Sequence, residues 1–241
     1  MLHNYLLADE INRAPAKVQS ALLEVMQEHQ VTIGGATYPV PEPFIVLATQ
    51  NPIESEGTYP LPEAQVDRFL MKILVDYPSI GEEAAVVGRS LGTPAEIIEC
   101  LSLEDLRRHA QTARGVYVDR DTIAYAVALA DATRHPAEHG LKDLAGLIEF
   151  GASPRGPIGL VHAARALALL RGRGHVEVSD IRDLAADLLR LRLVLSYDAL
   201  SEGVTVDQLL ERIVAAVPQP GGGRLMRGDP VPVRGEGLRG A

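Results

Sequence analysis

Residues 6–15 read LLADEINRAP, an apolar run that ends in two adjacent carboxylates, Asp9 and Glu10, and is followed by a proline. A short apolar run bounded by chain breakers is typical of a buried strand in a sheet that helices cover. Pro15 suits the first turn of a helix, where its missing N–H would have no partner. The stretch therefore predicts a strand that delivers two like charges to its carboxyl end, just ahead of a helix.

Helix and strand patterns alternate up to about residue 80. A helix is predicted from Pro15 to about Gln27, and the paired glycines Gly34 and Gly35 predict a β-hairpin over 30–41, because glycine supplies the positive φ of a tight turn. Strands are predicted at 4–8, 44–49 and 71–76. Their continuous apolar runs, separated by helices, favour a mainly parallel sheet that is covered on both faces. This pattern is typical of part of an α/β domain.

The pattern after residue 80 is helical. Ser102 with Asp105 predicts a capping box, and Asp119, Ser153 and Ser179 stand where further helix N-caps are expected. We expect part of an α/β core at 1–80, a linker at 81–99, a helical domain at 100–217 and a disordered Gly/Pro/Arg-rich tail at 218–241.

Composition excludes several classes of protein. No run of about 18 apolar residues is present, and the N-terminus lacks the pattern of a signal peptide, so we expect a cytoplasmic protein without a membrane span. The net charge of −9 disfavours general binding to nucleic acid. The single cysteine, Cys100, cannot form an internal disulfide and is expected to be half-buried.

The acidic pair has two interpretations. Functional groups collect at the carboxyl ends of strands in open α/β sheets, where Asp9 could hold a magnesium ion and Glu10 could polarise an attacking water. The alternative is simple N-capping of the following helix and complementation of its dipole. Thr49 and Asn51 follow the strand at 44–49 and are expected at the same sheet edge, where Asn51 could hold the water or merely form an Asn-Pro turn.

Two arginines complete the candidate site. Arg68, next to Asp67, could form a buried ion pair or project into the active site of a neighbouring subunit. Arg155, at the expected start of a helix, could contact phosphate or lie free on the surface.

Other candidate sites are weaker. His135 and His139 flank a Pro- and Gly-containing loop rather than a helix that could present two zinc ligands. Ser153 lacks the spacing of a nucleophile elbow. The arginines of LRGRGHV and LLRLRL could form a basic stripe, but we expect them to lie on solvated helix faces or to contact neighbouring lids.

Taken together, LLADEINRAPAKVQSALLEVMQE, the Gly-Gly hairpin, VLATQNPIESEGTYPLPEAQVDRFLMK and GASPRG resemble the MoxR group of AAA+ ATPases. The resemblance implies a partial P-loop AAA+ core, with a parallel sheet, flanking helices and a pre-sensor β-hairpin, followed by an all-α lid. It implies that ATP and Mg²⁺ are the cofactors and that Asp9 and Glu10 are the Walker B pair. By the same resemblance, Asn51 is the first sensor, Arg68 the arginine finger and Arg155 the second sensor, acting in cis or in trans.

One part of the family pattern is missing. A P-loop needs Gly-Lys-Ser/Thr to cradle the phosphates, but Lys17, Lys72 and Lys142 follow Ala, Met and Leu. Family members carry this loop upstream of the Walker B strand, so we expect an N-terminally truncated chain; the alternative is a genuine remnant that cannot hold nucleotide unaided. In either case we expect no ATP hydrolysis by the chain alone.

The resemblance also implies partners. Family members form rings, usually hexamers, and remodel client proteins, among them von Willebrand factor A-domain proteins. Three alternatives remain open: a non-catalytic module that docks into such rings, a magnesium chelatase-like ATPase subunit, and, more remotely, a DNA-binding regulator.

Overall fold

The computed structural model describes residues 3–51, 57–93 and 96–220. Almost all of the expected disordered tail, from residue 221 onward, lies outside the described residues. None of the described helices is long and apolar enough to span a membrane.

The α/β part contains a parallel strand pair, a β-hairpin and packed helices, as predicted. Strands β1 and β4 pair in parallel, and β2 and β3 form the antiparallel hairpin. The elements are β1 (Tyr5–Ala8), α1 (Ala16–Glu28), β2 (Gln30–Ile33), β3 (Ala36–Pro39), β4 (Ile45–Ala48) and α2 (Glu63–Val66).

Helices cover this sheet on one face only among the described residues, so the prediction of two covered faces is wrong there. Alternate strand residues point to opposite faces. On one face, Leu6 and Val46 pack with Leu23 of α1 in a small apolar core. On the other face Leu7 and Leu47 are 64% and 58% exposed.

The predicted strand at 71–76 is also wrong, because the structure has no strand pairing there. A strand needs a neighbour to satisfy its backbone groups, and this segment instead makes its backbone bonds with the helical part: the Lys72 N–H donates to the Asp187 carbonyl at 2.8 Å. Met71 packs against the helical core, whereas Val75 is 92% exposed. The helix that follows, α3 (Ile80–Ser90), has no buried side chain.

The helical part forms the larger core. Tyr125, Leu129, Leu160, Leu188 and Ile213 are almost completely buried in it. Its elements are α4 (Leu103–Arg114), α5 (Arg120–Arg134), β5 (Ile148–Phe150), α6 (Arg155–Leu170), α7 (Val178–Leu189), β6 (Val194–Leu195), α8 (Tyr197–Ser201) and α9 (Val206–Ala216). This confirms a helical lid after the α/β part.

Two of the predicted helix caps are confirmed. Ser102 and Asp105 form a capping box at the start of α4. Asp119 accepts a hydrogen bond from the Thr122 N–H at 2.7 Å at the start of α5. In both cases the carboxylate or hydroxyl satisfies an N–H group that has no partner within the helix.

The other two predicted caps are wrong. Glu177, not Ser179, stands at the N-cap of α7 and forms a capping box with Asp180. Pro154, not Ser153, stands at the N-cap of α6. Ser153 is used differently, as described below. Cys100, predicted to be half-buried, is exposed.

The arginines of LRGRGHV are not simply solvated, because they hold a buried carboxylate. Asp180 has a fully buried side chain and accepts hydrogen bonds from Arg171 at 2.7 Å and Arg173 at 2.5 Å. Desolvation raises the pKa of Asp180, but the bonds from Arg173 and from the Glu177 N–H outweigh it, so that its pKa lies below the ordinary value of 3.8.

Replacing Asp180 tests this anchor. We expect Asp180→Asn to lower the free energy of unfolding by about 2 kcal/mol, because two arginines lose a buried partner. Since the folded pKa is lowered, the ionised carboxylate stabilises the fold above the unfolded pKa, and this stabilisation is lost as the pH falls through the folded value. Urea unfolding between pH 7 and pH 3 should therefore show a weaker acid dependence in the variant.

Asp183→Asn is the matched control. Asp183 contacts the same Arg171, at 2.7 Å, but is 51% exposed, so its loss should change stability by less than about 0.5 kcal/mol. Equal effects of the two substitutions would contradict the assignment.

Candidate functional site

The parallel register of β1 and β4 brings Asp9 and Thr49 side by side. Ala8 lies opposite Ala48, so the next residue of each strand reaches the same sheet edge. The Thr49 N–H donates to the Ala8 carbonyl at 3.0 Å, and the Ile11 N–H donates to the Thr49 carbonyl at 3.0 Å. Backbone pairing thus continues past the strand ends and fixes the edge.

The Thr49 hydroxyl joins the two acidic residues. It donates to Oδ1 of Asp9 at 2.5 Å and accepts from the Glu10 N–H at 2.8 Å. One hydroxyl can serve as donor and acceptor at once. Asp9 is exposed at this edge, so its carboxylate reaches solvent while its orientation is set by Thr49.

Glu10 does not act as a helix cap. It precedes a short 3₁₀ turn, Ile11–Arg13, but its side chain makes no capping hydrogen bond. Its backbone is left-handed, with φ 46° and ψ 53°, a conformation that costs a non-glycine residue about 1 kcal/mol. The carboxylate lies 2.9 Å from Nε of Arg13. The geometry therefore does not support the interpretation of the acidic pair as a helix cap.

Asn51 lies at the same edge, two residues beyond Thr49. Its carbonyl accepts a hydrogen bond from Nδ2 of Asn12 at 3.4 Å. Buried Gln19 fixes the neighbouring loop, since its Nε2 donates to the carbonyls of Ile11 at 3.1 Å and Tyr59 at 3.0 Å. The sheet edge thus carries Asp9, Glu10 and Asn51 together.

The two candidate arginines also lie together, in a cleft between the α/β part and the lid. Arg68 and Arg155 line this cleft of about 190 Å³ with Met26 and Gln27 of α1. Arg68 is exposed and makes no ion pair with the described residues, which disagrees with its interpretation as a buried structural pair. Two guanidinium groups at one cleft favour binding of an anion.

Asp67, beside Arg68, contacts several residues of the lid and so connects it to the α/β part. Its carboxylate lies 2.9 Å from Nε of Arg192 and 3.3 Å from Nη1 of Arg155. The Ser153 hydroxyl donates to it at 2.9 Å. Among the described residues, no hydrogen bond or ion pair joins the acids at the sheet edge directly to the arginines of the cleft.

Arg192 is a residue that sequence reasoning misplaced. The arginines of LLRLRL were expected to be solvated, yet Arg192 is 7% exposed and donates to the carbonyls of Phe69 at 2.8 Å and Leu70 at 3.1 Å. Burial lowers the pKa of Arg192, and Asp67 opposes this effect. The sequence signal for its burial is the position of this arginine between two leucines at the end of an apolar helix.

His135 and His139 form a separate small cluster. Nδ1 of His135 lies 3.1 Å from one oxygen of Asp131, and Nε2 of His139 lies 3.0 Å from the other. Desolvation raises the pKa of Asp131, but the histidine bonds outweigh it and lower the pKa overall. The two imidazoles thus serve as partners of a carboxylate at the end of α5.

Comparison with known proteins matches both parts of the chain. Residues 1–71 match the ATPase family associated with various cellular activities (AAA), and residues 144–213 match the AAA lid domain. The chain is 52% identical over 217 residues to Chaperone MoxR1 of Mycobacterium tuberculosis, over 90% of this chain and 58% of that protein. The chain therefore spans little more than half the length of this relative.

Two further proteins match this chain, which covers about two thirds of the length of each. The chain is 42% identical over 223 residues to the uncharacterized protein YeaC of Bacillus subtilis, over 91% of this chain and 67% of that protein. A crystal structure of a protein from Cytophaga hutchinsonii superposes with a TM-score of 0.87 at 46% identity, over 90% of this chain and 66% of that one.

Thr49 offers a direct test of the edge geometry. Thr49→Val keeps the shape of the side chain but removes both hydrogen bonds of the hydroxyl, so we expect the free energy of unfolding to fall by about 1 kcal/mol. Thr37→Val is the control, because the Thr37 hydroxyl meets that of Thr32 in the exposed hairpin, at 3.3 Å, and should cost less. Chemical denaturation measures both; equal costs would argue against the bridging role of Thr49.

Proposed function

We propose a function for this chain on a premise that follows from these comparisons: the chain belongs to the MoxR family of AAA+ ATPases. Our proposal is that it carries the metal-binding and water-activating half of an ATP-hydrolysing site, together with the arginines that contact the phosphates. The observation that carries the proposal is the hydrogen-bonded unit of Asp9, Thr49 and Glu10 at the carboxyl edge of the sheet.

The residues of the sheet edge fit a magnesium site. Mg²⁺ keeps several waters and binds through one or two carboxylates and the substrate phosphates, and Asp9 offers an exposed carboxylate whose orientation Thr49 sets. When bound, the ion would neutralise charge on the β- and γ-phosphates. In our proposal Asp9 holds it through water, Glu10 accepts the proton of the attacking water, and Asn51 positions that water.

The cleft arginines would stabilise the phosphates. Arg68 is exposed and unpaired among the described residues, so it can reach beyond its own chain, and we propose that it acts as the arginine finger on the nucleotide of a neighbouring subunit in a ring. Arg155 lines the same cleft and is proposed to contact phosphate from the lid.

The phosphate cradle is the component that this chain does not contain. Its 241 residues include no Gly-Lys-Ser/Thr, and the amides and lysine of that loop hold the phosphates in P-loop enzymes. We therefore propose that the 241 residues do not hydrolyse ATP until a segment with this loop is supplied.

The work done with ATP is proposed to be chaperone-like remodelling of client proteins in the cytoplasm by a ring, usually a hexamer. The name of the mycobacterial relative, a chaperone, supports this. The exposed β2–β3 hairpin, in which Ile33 and Tyr38 are 60% and 45% exposed, would contact clients, which could include von Willebrand factor A-domain proteins.

A second function remains a candidate. The lack of Gly-Lys-Ser/Thr in the 241 residues favours a non-catalytic module that docks into rings of longer subunits through Arg68 and the lid. The chelatase-like alternative gains no support from the matched relatives, which include proteins named MoxR.

The catalytic proposal is tested by joining the P-loop segment of a longer family member ahead of residue 4. We expect ATP turnover by this chimera and none by the 241 residues alone. Glu10→Gln in the chimera should lower kcat about 100-fold or more while ATP binding is retained, because the base is lost but not the ligands. Steady-state turnover and equilibrium binding of ATP measure the two effects.

Glu24→Gln is the matched control, since Glu24 is an exposed carboxylate on α1 to which no catalytic role is assigned, and its loss should leave kcat within about twofold. Turnover by the 241 residues alone, or normal kcat in the Glu10→Gln chimera, would refute the catalytic proposal.

Mixing two inactive chimeras tests the proposed role of Arg68. In the chimera, Arg68→Ala should lower kcat by about 10³-fold. The active sites of this variant still contain the proposed base, Glu10. Adding Glu10→Gln chimera, which keeps Arg68, should restore part of the turnover, because the arginine then comes from the neighbouring subunit. Turnover that stays at the sum of the two separate variants would show that Arg68 does not act between subunits.

A further inference from the structure

Three groups of the lid meet one carboxylate of the α/β part, that of Asp67. The Ser153 hydroxyl lies 3.1 Å from Oδ1 and 2.9 Å from Oδ2, Nε of Arg192 lies 2.9 Å from Oδ1, and Nη1 of Arg155 lies 3.3 Å from Oδ2. The side chain of Asp67 is 17% exposed. We propose that Asp67 is a positioning residue that fastens the lid to the α/β part and so sets where Arg155 stands beside Arg68.

The contact with Arg192 is a buried ion pair at 2.9 Å, in which the Arg192 Nε–H is not aligned for a hydrogen bond. The Arg192 side chain is 3% exposed, and a buried guanidinium needs both a counter-charge and hydrogen-bond acceptors. Its acceptors come from both parts: the carbonyls of Phe69 and Leu70 precede the lid, and that of Leu188 belongs to α7. Removing the charge of Asp67 would leave Arg192 without a carboxylate among the described residues.

Ser153 adds a second fastening point close to the cleft. Its hydroxyl donates to Asp67 and accepts the N–H of Arg155 at 3.2 Å. This places the first residue of α6 next to the Asp67 carboxylate. The position of the helix that carries Arg155 is thus tied directly to the residue that precedes Arg68.

The contact with Arg155 is the weak one. The Arg155 side chain is 52% exposed and approaches Asp67 at 3.3 Å, so solvent screens the pair. Its guanidinium can leave Asp67 for another anion at the cleft while Ser153 and Arg192 keep the lid in place. Asp67 therefore fixes the position of the Arg155 backbone through Ser153, whereas the Arg155 guanidinium can exchange Asp67 for another anion.

This inference deepens the proposed function, in which Arg155 contacts phosphate, but its test needs no nucleotide. Spin labels on Lys17→Cys of α1 and Ala166→Cys of α6, both exposed positions, in a Cys100→Ser background of the 241 residues, report the distance between the two parts. Pulsed electron double resonance should give one narrow distance distribution for the otherwise unchanged chain.

Asp67→Asn should broaden this distribution at least twofold or shift its maximum, with circular dichroism showing that the helices remain. Arg155→Gln should leave the distribution unchanged, because Arg155 follows the lid and does not fasten it. Asp143→Asn is the matched control: Asp143 pairs with Arg212 within the lid and should also leave it unchanged.

A second readout follows the guanidinium itself. The Nε–Hε resonance of Arg155, assigned with Arg155→Lys, should shift in Asp67→Asn and stay in place in Asp143→Asn. A loss of stability alone would not move this resonance in the folded protein.

Each outcome decides the proposal. A narrow, unshifted distribution in Asp67→Asn would overturn it, and so would broadening in Arg155→Gln. If Asp67→Asn does not fold, Ser153→Ala decides: partial broadening supports the fastening role and an unchanged distribution overturns it. Failure of the chimera to hydrolyse ATP would refute the proposed function but would leave these distances as they are.

Discussion

The guanidinium of Arg192 is buried, and the need to neutralise it ties the two parts of the chain together. A buried cation without a counter-charge is costly, and Asp67 supplies the charge from the segment that leads into the lid. The carbonyls of Phe69 and Leu70 accept hydrogen bonds from the same side chain. These contacts hold the lid against the segment that contains Arg68. The cleft that Arg68 and Arg155 line lies at this junction.

The second constraint is the parallel pairing of β1 with β4. Because the strands run in the same direction and Ala8 lies opposite Ala48, the residues that follow them meet at one edge. A single hydroxyl, that of Thr49, then connects Asp9 with Glu10. The backbone of Glu10 is held in a left-handed conformation there, a feature that is concentrated at functional sites.

Much of this edge could be predicted from the sequence. The apolar runs before Asp9 and Thr49 are local signals, and the rule that strand ends share an edge places their polar successors together. The hairpin was predictable because Gly34 and Gly35 allow the positive φ that its turn uses. The roles proposed for Arg68 and Arg155 rest on the family resemblance, and the structure adds that both line one cleft.

Three of the errors share a physical cause, because they concern contacts between residues far apart in sequence. The apolar run at 71–76 has strand character, but its backbone partner is Asp187 of the lid. Arg192 looked like a surface residue because its partner, Asp67, lies 125 positions away. Ser153 is predicted to stand at a helix N-cap, but Pro154 holds that position, and the Ser153 hydroxyl accepts the Arg155 N–H while it donates to Asp67, 86 positions away. Neither periodicity nor capping rules contain information on such pairs.

The most direct test of the account is to locate the metal of a bound nucleotide in the chimera with the P-loop segment. Mn²⁺ in place of Mg²⁺, with a non-hydrolysable ATP analogue, broadens the amide resonances of residues near it. The account predicts that the amides of Asp9, Glu10 and Asn51 broaden most within the 241 residues. Sharp resonances at these positions, with broadening centred on Asp131 and His139 or elsewhere in the lid, would contradict it.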